Sequence, residues 1–310
     1  MKFAFVFPGQ GSQAIGMLNG FGDNQVVKDT LSEASDAIKV DLARLIAEGP
    51  KEELDLTTNT QPVMLAAAVA TWRAWLAAGG AMPALVAGHS LGEYSALVAA
   101  GVIRFADAVP LVRFRAQAMQ EAVPVGQGGM AAILGLSDDD VRAACTDAAQ
   151  GEVVEPVNFN APAQVVIAGH KGAVERACDA AKARGAKRAL LLPVSAPFHS
   201  SLLQPASVKL RDYMAGLDFS APALPLINNV DVAVHGDPAS IKDALVRQAA
   251  SPVRWVETVQ KFAAEGVTHV IECGPGKVLS GLTKRINASL TGDAIVDQAS
   301  LEKILELVKP

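Results

Sequence analysis

The sequence predicts an α/β fold in which a mostly parallel sheet is interrupted by an inserted subdomain. Strand-like and helix-like segments alternate through the first third of the chain, which is typical of a parallel sheet covered by helices. Residues 130–193 then follow the order β-α-β-β-α-β, the order of a ferredoxin-like unit. Finally, a serine lies at the centre of Gly-x-Ser-x-Gly between a strand and a helix, which indicates a nucleophile elbow and an α/β-hydrolase-like core.

The composition supports a large buried core. The chain has 310 residues, of which 50% are hydrophobic and 19% are charged, so it needs no disulfides to be stable and is not disordered. Its formal net charge of −5 gives no basis for binding nucleic acid or an anionic membrane. The three cysteines are widely spaced and match neither a disulfide framework nor a zinc motif. We therefore expect a reducing compartment.

No segment is typical of export or of a membrane span. The chain enters the apolar run Phe3–Phe7 directly, without a basic region before it or a small-residue cleavage site after it. The longest apolar region, residues 63–78, contains Trp72-Arg73 and ends at Gly79-Gly80, which favours a buried helix. The expected location is the cytoplasm, without membrane contact.

The first part of the chain begins with a short buried strand at residues 3–7. A second strand is predicted just before the serine motif, at residues 84–87. Asp107 is suitable as the N-cap of the last helix of this part. The predicted helices span residues 31–38, 63–77, 91–100 and 107–122.

The glycine-rich segment from Pro124 to Gly129 predicts a joint between two units. After it, strands are predicted at residues 130–136, 153–158, 164–168 and 189–193, and helices at residues 138–149 and 173–184. The alternation of strands and helices seen in the first third of the chain then resumes, with strands at residues 224–227 and 267–272 and helices at residues 241–250 and 256–264. This organisation predicts a discontinuous large domain, residues 1–123 and 194–310, and a small ferredoxin-like subdomain, residues 124–193.

Ser90 is the candidate nucleophile. In Gly88-His89-Ser90-Leu91-Gly92 the flanking glycines remove the Cβ atoms that would clash where strand and helix approach each other. A serine needs a base to accept its proton. Of the five histidines, His199 lies on a loop where the chain re-enters the large domain, while His89 is adjacent to Ser90 and points elsewhere in such a turn. His199 is therefore the preferred base.

An acyl-transfer site also needs donors for an oxyanion. The backbone N–H of Leu91, next to the serine at a helix N-terminus, is one such donor. The loop after the first strand, Pro8–Gln13, would bring the Gln10 backbone near the reacting carbonyl if it is functional, but the residues alone favour a plain turn between a strand and a helix. Arg115 lies among apolar helix neighbours and so needs an anionic partner, either a structural acid or a substrate carboxylate.

Several motifs together resemble one family. They are Phe5–Gln13, Thr60-Gln61-Pro62, Gly88–Tyr94, Arg115 before Met119-Gln120-Glu121, Asn158-Phe159-Asn160, Pro197-Phe198-His199 and Glu272–Gly276. In this order they resemble bacterial malonyl-CoA:acyl-carrier-protein transacylases, and the resemblance covers residues 3 to about 285. It implies Ser90 as the acylated nucleophile, His199 as its base, and an arginine, Arg115, that pairs with the malonyl carboxylate.

The resemblance also implies the remaining site residues. Gln10 and Leu91 provide the oxyanion-hole amides, and the backbone carbonyl of Gln248 orients His199. The end of a helix is a suitable place for this carbonyl, because its free carbonyls and negative dipole favour an imidazolium. Four further residues would support or line the pocket: Gln61, His89, Asn160 and Met119. Phe198, the bulky residue before the histidine, would favour malonyl over a methyl-branched group.

The implied reaction is a two-step transfer through a serine ester, from malonyl-CoA to the phosphopantetheine thiol of acyl carrier protein, without a metal or redox cofactor. Carrier proteins are acidic, so docking needs a local basic patch; Lys187-Arg188 and Lys284-Arg285 are candidates. A monomer is expected. Three alternatives stay open: a serine esterase or thioesterase, a trans-acting acyltransferase of polyketide assembly, and a non-enzymatic scaffold.

Overall fold

The computed structural model describes residues 1–194 and 196–309 and contains two β-sheets. The larger sheet has five parallel strands in the order β7-β2-β1-β8-β9. Its strands are β1 (Phe3–Phe7), β2 (Leu85–Gly88), β7 (Leu226–Ile227), β8 (His269–Cys273) and β9 (Thr291–Ile295). The smaller sheet is antiparallel with the order β4-β5-β3-β6, formed by β3 (Gly128–Leu134), β4 (Val154–Ala161), β5 (Gln164–His170) and β6 (Arg188–Leu191).

Helices cover both faces of the parallel sheet, as expected for strands that are buried on both sides. The helices are α1 (Gln25–Ile38), α2 (Leu42–Glu48), α3 (Lys51–Leu54), α4 (Thr57–Ala77), α5 (Gly92–Ala99), α6 (Phe105–Glu121), α7 (Asp138–Ala149), α8 (Lys171–Ala183), α9 (Gln204–Ala215), α10 (Pro238–Gln248), α11 (Trp255–Ala264), α12 (Val278–Ile286) and α13 (Gln298–Leu307). One face packs against a core that includes α1, α4 and α6. The other packs against α11 and α12.

The predicted fold class is confirmed: a parallel α/β sheet is joined to a separate ferredoxin-like unit. The strands of that unit all fall between residues 128 and 191. Its helices α7 and α8 pack on one side of the antiparallel sheet around their own small core. The proposed domain boundaries, residues 1–123 and 194–310 against 124–193, stay a prediction.

Several predicted helix ends were wrong. α1 begins at Gln25 and not at residue 31, because the Asn24 side chain accepts hydrogen bonds from Val26 N and Val27 N and caps the helix. Asp107 is not a cap: α6 begins at Phe105, and Asp107 accepts from Arg104 Nε at 2.7 Å within the first turn.

α4 begins at Thr57, although Pro62 lies inside the helix and a proline there normally ends or kinks it. Nearly all of this helix is buried against the sheet, so tertiary packing offsets the cost of the proline. The chain also extends the sheet with β9, which pairs with β8 over five residues. In the part of the chain that the structure describes, no helix is both long enough and apolar enough to cross a membrane.

Candidate active site

Ser90 lies on a tight turn between β2 and α5. Its φ of 52° is in the left-handed region, which is strained for a residue with a side chain. A Cβ on Gly88 would lie 1.9 Å from the Gly92 carbonyl carbon, and a Cβ on Gly92 would lie 2.0 Å from the Phe7 oxygen. Only glycine fits either position, so the close packing of β1, β2 and α5 requires both glycines of the motif.

His199 lies against Ser90, as the sequence predicted for the base. Ser90 Oγ is 2.7 Å from His199 Nε2, and His199 Nδ1 is 2.8 Å from the Gln248 carbonyl oxygen. Because a carbonyl can only accept, Nδ1 carries the proton and Nε2 is free to accept the proton of the serine. Burial, and then the positive charge of Arg115, lower the pKa of His199 to about 3. The imidazole is therefore neutral near pH 7, as a base must be.

The other four histidines are engaged elsewhere. His89 Nε2 is 2.7 Å from Asn160 Oδ1, and its ring packs against the Trp255 ring at 5.4 Å between centroids. Burial lowers the pKa of His89. The remaining three bond to groups away from Ser90: His170 to Val153 N, His235 to Asp231 and His269 to Thr268. Proximity in sequence thus does not make His89 the base.

The guanidinium of Arg115 is buried beside Ser90, with 1% of the residue exposed. Nη1 donates to Gln61 Oε1 at 2.7 Å, and Nη2 donates to Gln248 Oε1 at 2.9 Å and to Ser90 Oγ at 3.2 Å. All three acceptors are uncharged. Within residues 1–194 and 196–309, no carboxylate lies within 4.0 Å of its guanidinium nitrogens.

This arrangement bears on the two partners that the sequence left open, a structural acid and a substrate carboxylate. A structural acid in contact with Arg115 is not found among the described residues, and the buried Nε has no partner there either. The face of the Tyr94 ring lies 5.3 Å from the guanidinium carbon, so one side is closed by an aromatic ring. A buried cation without a paired anion favours a ligand that brings one.

Gln10 and Leu91 both line the cleft next to Ser90. Neither backbone N–H donates to another group within the described residues, so both are available to an oxyanion. The approach of the Gln10 loop is close: a Cβ on Gly9 would lie 2.5 Å from the His89 oxygen. The side chain of Gln10 accepts from Thr57 Oγ1 at 2.9 Å, which anchors the loop.

The cleft lies between the two sheets and has a volume of about 480 Å³. Residues of the antiparallel sheet, among them Asn158 and Asn160 of β4, form one wall. β4 shows a register irregularity between Phe159 and Ala161, which places Asn160 at a bulge. Of the eleven predicted site residues, ten line this cleft: Gln10, Gln61, His89, Ser90, Leu91, Arg115, Met119, Asn160, Phe198 and His199.

Gln248, the eleventh, lies behind the cleft with no exposed surface. Its backbone carbonyl accepts from His199 Nδ1, as the resemblance implies, because α10 ends at this residue and leaves the carbonyl outside the regular helical hydrogen bonds. The same oxygen also accepts from Ser251 N at 3.4 Å. Its side chain does more than the sequence predicted. Nε2 donates to Ser90 O at 3.0 Å and to Glu93 Oε2 at 2.9 Å, while Oε1 accepts from Arg115.

Asn229 is a site residue that the sequence reading missed. It is fully buried just after β7, and its Oδ1 accepts from Ser90 N at 2.8 Å while its Nδ2 donates to Gly88 O at 2.7 Å. It therefore holds both sides of the elbow. Its position was the signal that could have identified it. Asn229 follows a strand next to β2, and the carboxyl ends of parallel strands meet at one edge of the sheet.

Glu93, in the first turn of α5, was also missed. It is 2% exposed, and its Oε2 accepts from Gln248 Nε2 and from Asn229 N at 3.1 Å. Burial raises the pKa of Glu93 to about 7, and the Gln248 and Asn229 hydrogen bonds act in the opposite direction. A charged residue in an otherwise apolar helix start was the signal for it.

The chain is similar to known acyltransferases. A family model described as "Acyl transferase domain" matches residues 4–301. A malonyl CoA-acyl carrier protein transacylase of Salmonella typhimurium is 58% identical over 305 residues, which cover 98% of this chain and 99% of that protein. The crystal structure of an acyl-carrier-protein S-malonyltransferase from Burkholderia pseudomallei is 70% identical with a TM-score of 0.97, and covers 99% of this chain and 100% of that one.

One further solved structure includes a partner. It is a malonyl-transacylase in complex with a type II PKS acyl-carrier protein. This chain is 54% identical to it with a TM-score of 0.98, and the match covers 99% of this chain and 100% of that chain.

Proposed function

This chain belongs to the acyl transferase domain family, and we propose that it transfers malonyl from malonyl-CoA to the phosphopantetheine thiol of acyl carrier protein, supplying fatty acid synthesis. The observation that carries this proposal is the position of Arg115 next to Ser90 without a carboxylate partner within the described residues. A carboxylated acyl group would satisfy the guanidinium and place its thioester at the nucleophile.

In the first step His199 Nε2 takes the proton of Ser90 as Oγ attacks the thioester carbonyl. The oxyanion of the tetrahedral intermediate accepts hydrogen bonds from the Gln10 and Leu91 amides. The imidazolium is stabilised by the Gln248 carbonyl at Nδ1. When the carbon–sulfur bond breaks, the imidazolium protonates the leaving thiolate, so coenzyme A departs as a thiol and malonyl-Ser90 remains.

The second step reverses the first with a different thiol. The phosphopantetheine thiol of the carrier gives its proton to His199 and attacks the serine ester. The Ser90 oxygen then leaves and recovers a proton from the imidazolium. Every proton and bond is accounted for by serine, histidine and the two thiols, so we propose that the reaction needs no metal or redox cofactor.

We propose that the carrier docks on a basic patch at one end of the antiparallel sheet. Arg188 and Gln164 both face Leu134 in the strand register, which puts their backbones about 10 Å apart. Arg285 Nη1 donates to Gln164 Oε1 at 2.8 Å. The two basic pairs predicted from the sequence, Lys187-Arg188 and Lys284-Arg285, therefore lie near each other and are exposed.

The specificity role of Phe198 remains a proposal. The ring is half-buried, lines the cleft and packs beside Met130 and Val166 of the antiparallel sheet. A branch on the α-carbon of the acyl group would compete with it for space. We also propose a cytoplasmic location, because all three cysteines are free, and a monomer as the working unit.

A second candidate is supply of malonyl to a polyketide carrier, and the complex with a type II PKS acyl-carrier protein favours it for that relative. The test is transfer from malonyl-CoA to purified fatty-acid and polyketide carriers, side by side, with hydrolysis measured in parallel. We expect transfer to exceed hydrolysis by a large factor and the fatty-acid carrier to be preferred. A transfer-to-hydrolysis ratio near one would instead indicate a thioesterase.

A further inference from the structure

The side-chain amide of Gln248 joins three parts of the site, and its two ends are not interchangeable. Its oxygen accepts from Arg115 Nη2 at 2.9 Å. Its nitrogen donates to Ser90 O at 3.0 Å and to Glu93 Oε2 at 2.9 Å. A rotation of the amide by half a turn would put the NH₂ group against the guanidinium, where both partners are donors.

Among the described acceptors of this amide nitrogen, only Glu93 has an ionisable oxygen. The hydrogen bonds from Gln248 and Asn229 and the charge of Arg115 favour the ionised form of Glu93. In that form the carboxylate can only accept, so it faces the amide nitrogen and not the amide oxygen. Ser90 O at 3.0 Å and Asn229 Oδ1 at 3.4 Å also accept from this nitrogen, but both are neutral oxygens. Hydrogen bonds to an ionised acceptor are roughly twice as strong as neutral ones. The amide dipole thus lies between a buried cation, Arg115, and a buried carboxyl, Glu93, with each end towards its complementary partner.

We propose that Glu93 is a positioning residue for malonyl selectivity, which acts by fixing the amide orientation of Gln248 and thereby the Arg115 fork. This inference rests on the proposed malonyl transfer. Glu93 does not touch the substrate, because it lies behind Gln248 and does not line the cleft. It acts on the residue that holds Nη2 of Arg115, which also contacts Ser90 Oγ.

The surroundings of Glu93 are consistent with this role. Its other polar neighbours are Asn229, which donates its backbone N–H, and the more distant Asp231, whose negative charge opposes ionisation of Glu93. Arg115 favours the ionised form. A small cavity of about 10 Å³ is lined by Glu93, by the polar residues Asn228 and His235 and by five apolar residues. Glu93 thus borders this cavity and does not line the cleft next to Ser90.

The test compares malonyl-CoA with acetyl-CoA, which lacks the carboxylate, as donors in formation of the acyl-serine. In Glu93→Leu the amide loses its charged acceptor, and the ratio of the two kcat/KM values should fall by roughly tenfold or more. In Glu93→Gln the new amide oxygen can still accept from both N–H groups, so the ratio should stay within about threefold of wild type. A parallel loss for both donors in Glu93→Leu would overturn the proposal.

A second variant keeps the test valid if Glu93→Leu does not fold. Gln248→Met removes the amide while leaving the backbone carbonyl that faces His199. It should lower the malonyl-to-acetyl ratio as far as Glu93→Leu, and the double variant should lose no more than either single one. An unchanged ratio in Gln248→Met, or additive losses, would contradict the proposal.

The matched control is Glu272→Leu. Glu272 is also a fully buried carboxyl, and burial raises its pKa to about 7, but it accepts from Ser280 N at the start of α12. Its removal should lower the melting temperature and leave the malonyl-to-acetyl ratio unchanged. If the ratio falls here too, any buried carboxyl has this effect and the proposal fails. If wild type forms no malonyl-serine, the proposed function fails instead.

Discussion

Replacement of Arg115 by alanine tests the carboxylate clamp. The guanidinium is 1% exposed and has three uncharged acceptors, so the malonyl carboxylate would be its ionic partner. Truncating one member of a buried, hydrogen-bonded charge pair costs about 2–5 kcal/mol. At about 1.4 kcal/mol for each factor of ten, Arg115→Ala should lower kcat/KM for malonyl-CoA by roughly 30-fold to a few thousandfold.

The assay measures acyl-serine formation with malonyl-CoA and acetyl-CoA under the same conditions. For acetyl-CoA the kcat/KM of Arg115→Ala should fall little or rise, because wild type must bury an unpaired cation beside an uncharged acyl group. Arg115→Lys is the comparison: it keeps the charge but not the fork, so it should fall between wild type and alanine. Undiminished malonyl transfer in Arg115→Ala, or equal losses for both donors, would refute the clamp.

Three further predictions follow from the site and its surroundings. Burial, and then the charge of Arg115, lower the pKa of His199 to about 3. The rate of Ser90 malonylation, measured between pH 4.5 and 7 in wild type and in Glu93→Gln, should therefore show no decrease centred near pH 6.5. Asn229→Leu should lower the melting temperature by several degrees and slow acylation by both donors, because each buried group left unpaired costs about 1–3 kcal/mol. Charge reversal of Lys284 and Arg285 should raise KM for the carrier and leave malonylation by malonyl-CoA unchanged.

Each of these has an outcome that would contradict it. A limb near pH 6.5 that persists in Glu93→Gln would mean that His199 titrates normally. The low pKa also implies that the unfolded chain, whose histidine has a pKa of 6.5, binds a proton that the folded protein does not, so stability should fall as pH falls from 6.5 towards 3. If Asn229→Leu slows acylation by malonyl-CoA but not by acetyl-CoA, Asn229 does not act by holding the turn around Ser90. If the charge reversal leaves KM for the carrier unchanged, Lys284 and Arg285 do not take part in docking.

Much of the fold was readable from the sequence because its signals are local. The order of strands and helices between residues 128 and 191 follows from hydrophobic pattern and turn residues, and α7 was placed at its observed ends. β9 carries no such signal, since Thr291–Ile295 is a polar edge strand whose pairing with β8 is a tertiary contact. Likewise, the start of α4 before Pro62 depends on burial and not on helix propensity.

The candidate site was readable to the extent that its residues belong to motifs. Ser90 and its glycines follow from a steric requirement, and the loop position of His199 singled it out among five histidines. Asn229 and the side chain of Gln248 act through contacts between segments more than 130 residues apart. The roles of such groups depend on where neighbouring strands end, which a single sequence does not specify.

The central claim is that Ser90 carries the malonyl group between two thiols. Its most direct test is the intact mass of the protein after mixing with malonyl-CoA, for wild type and for Ser90→Ala. The account predicts one added malonyl group on wild type, its disappearance when carrier protein with a free phosphopantetheine thiol is added, and no adduct on Ser90→Ala. The same adduct on Ser90→Ala, or none on wild type, would contradict the serine mechanism.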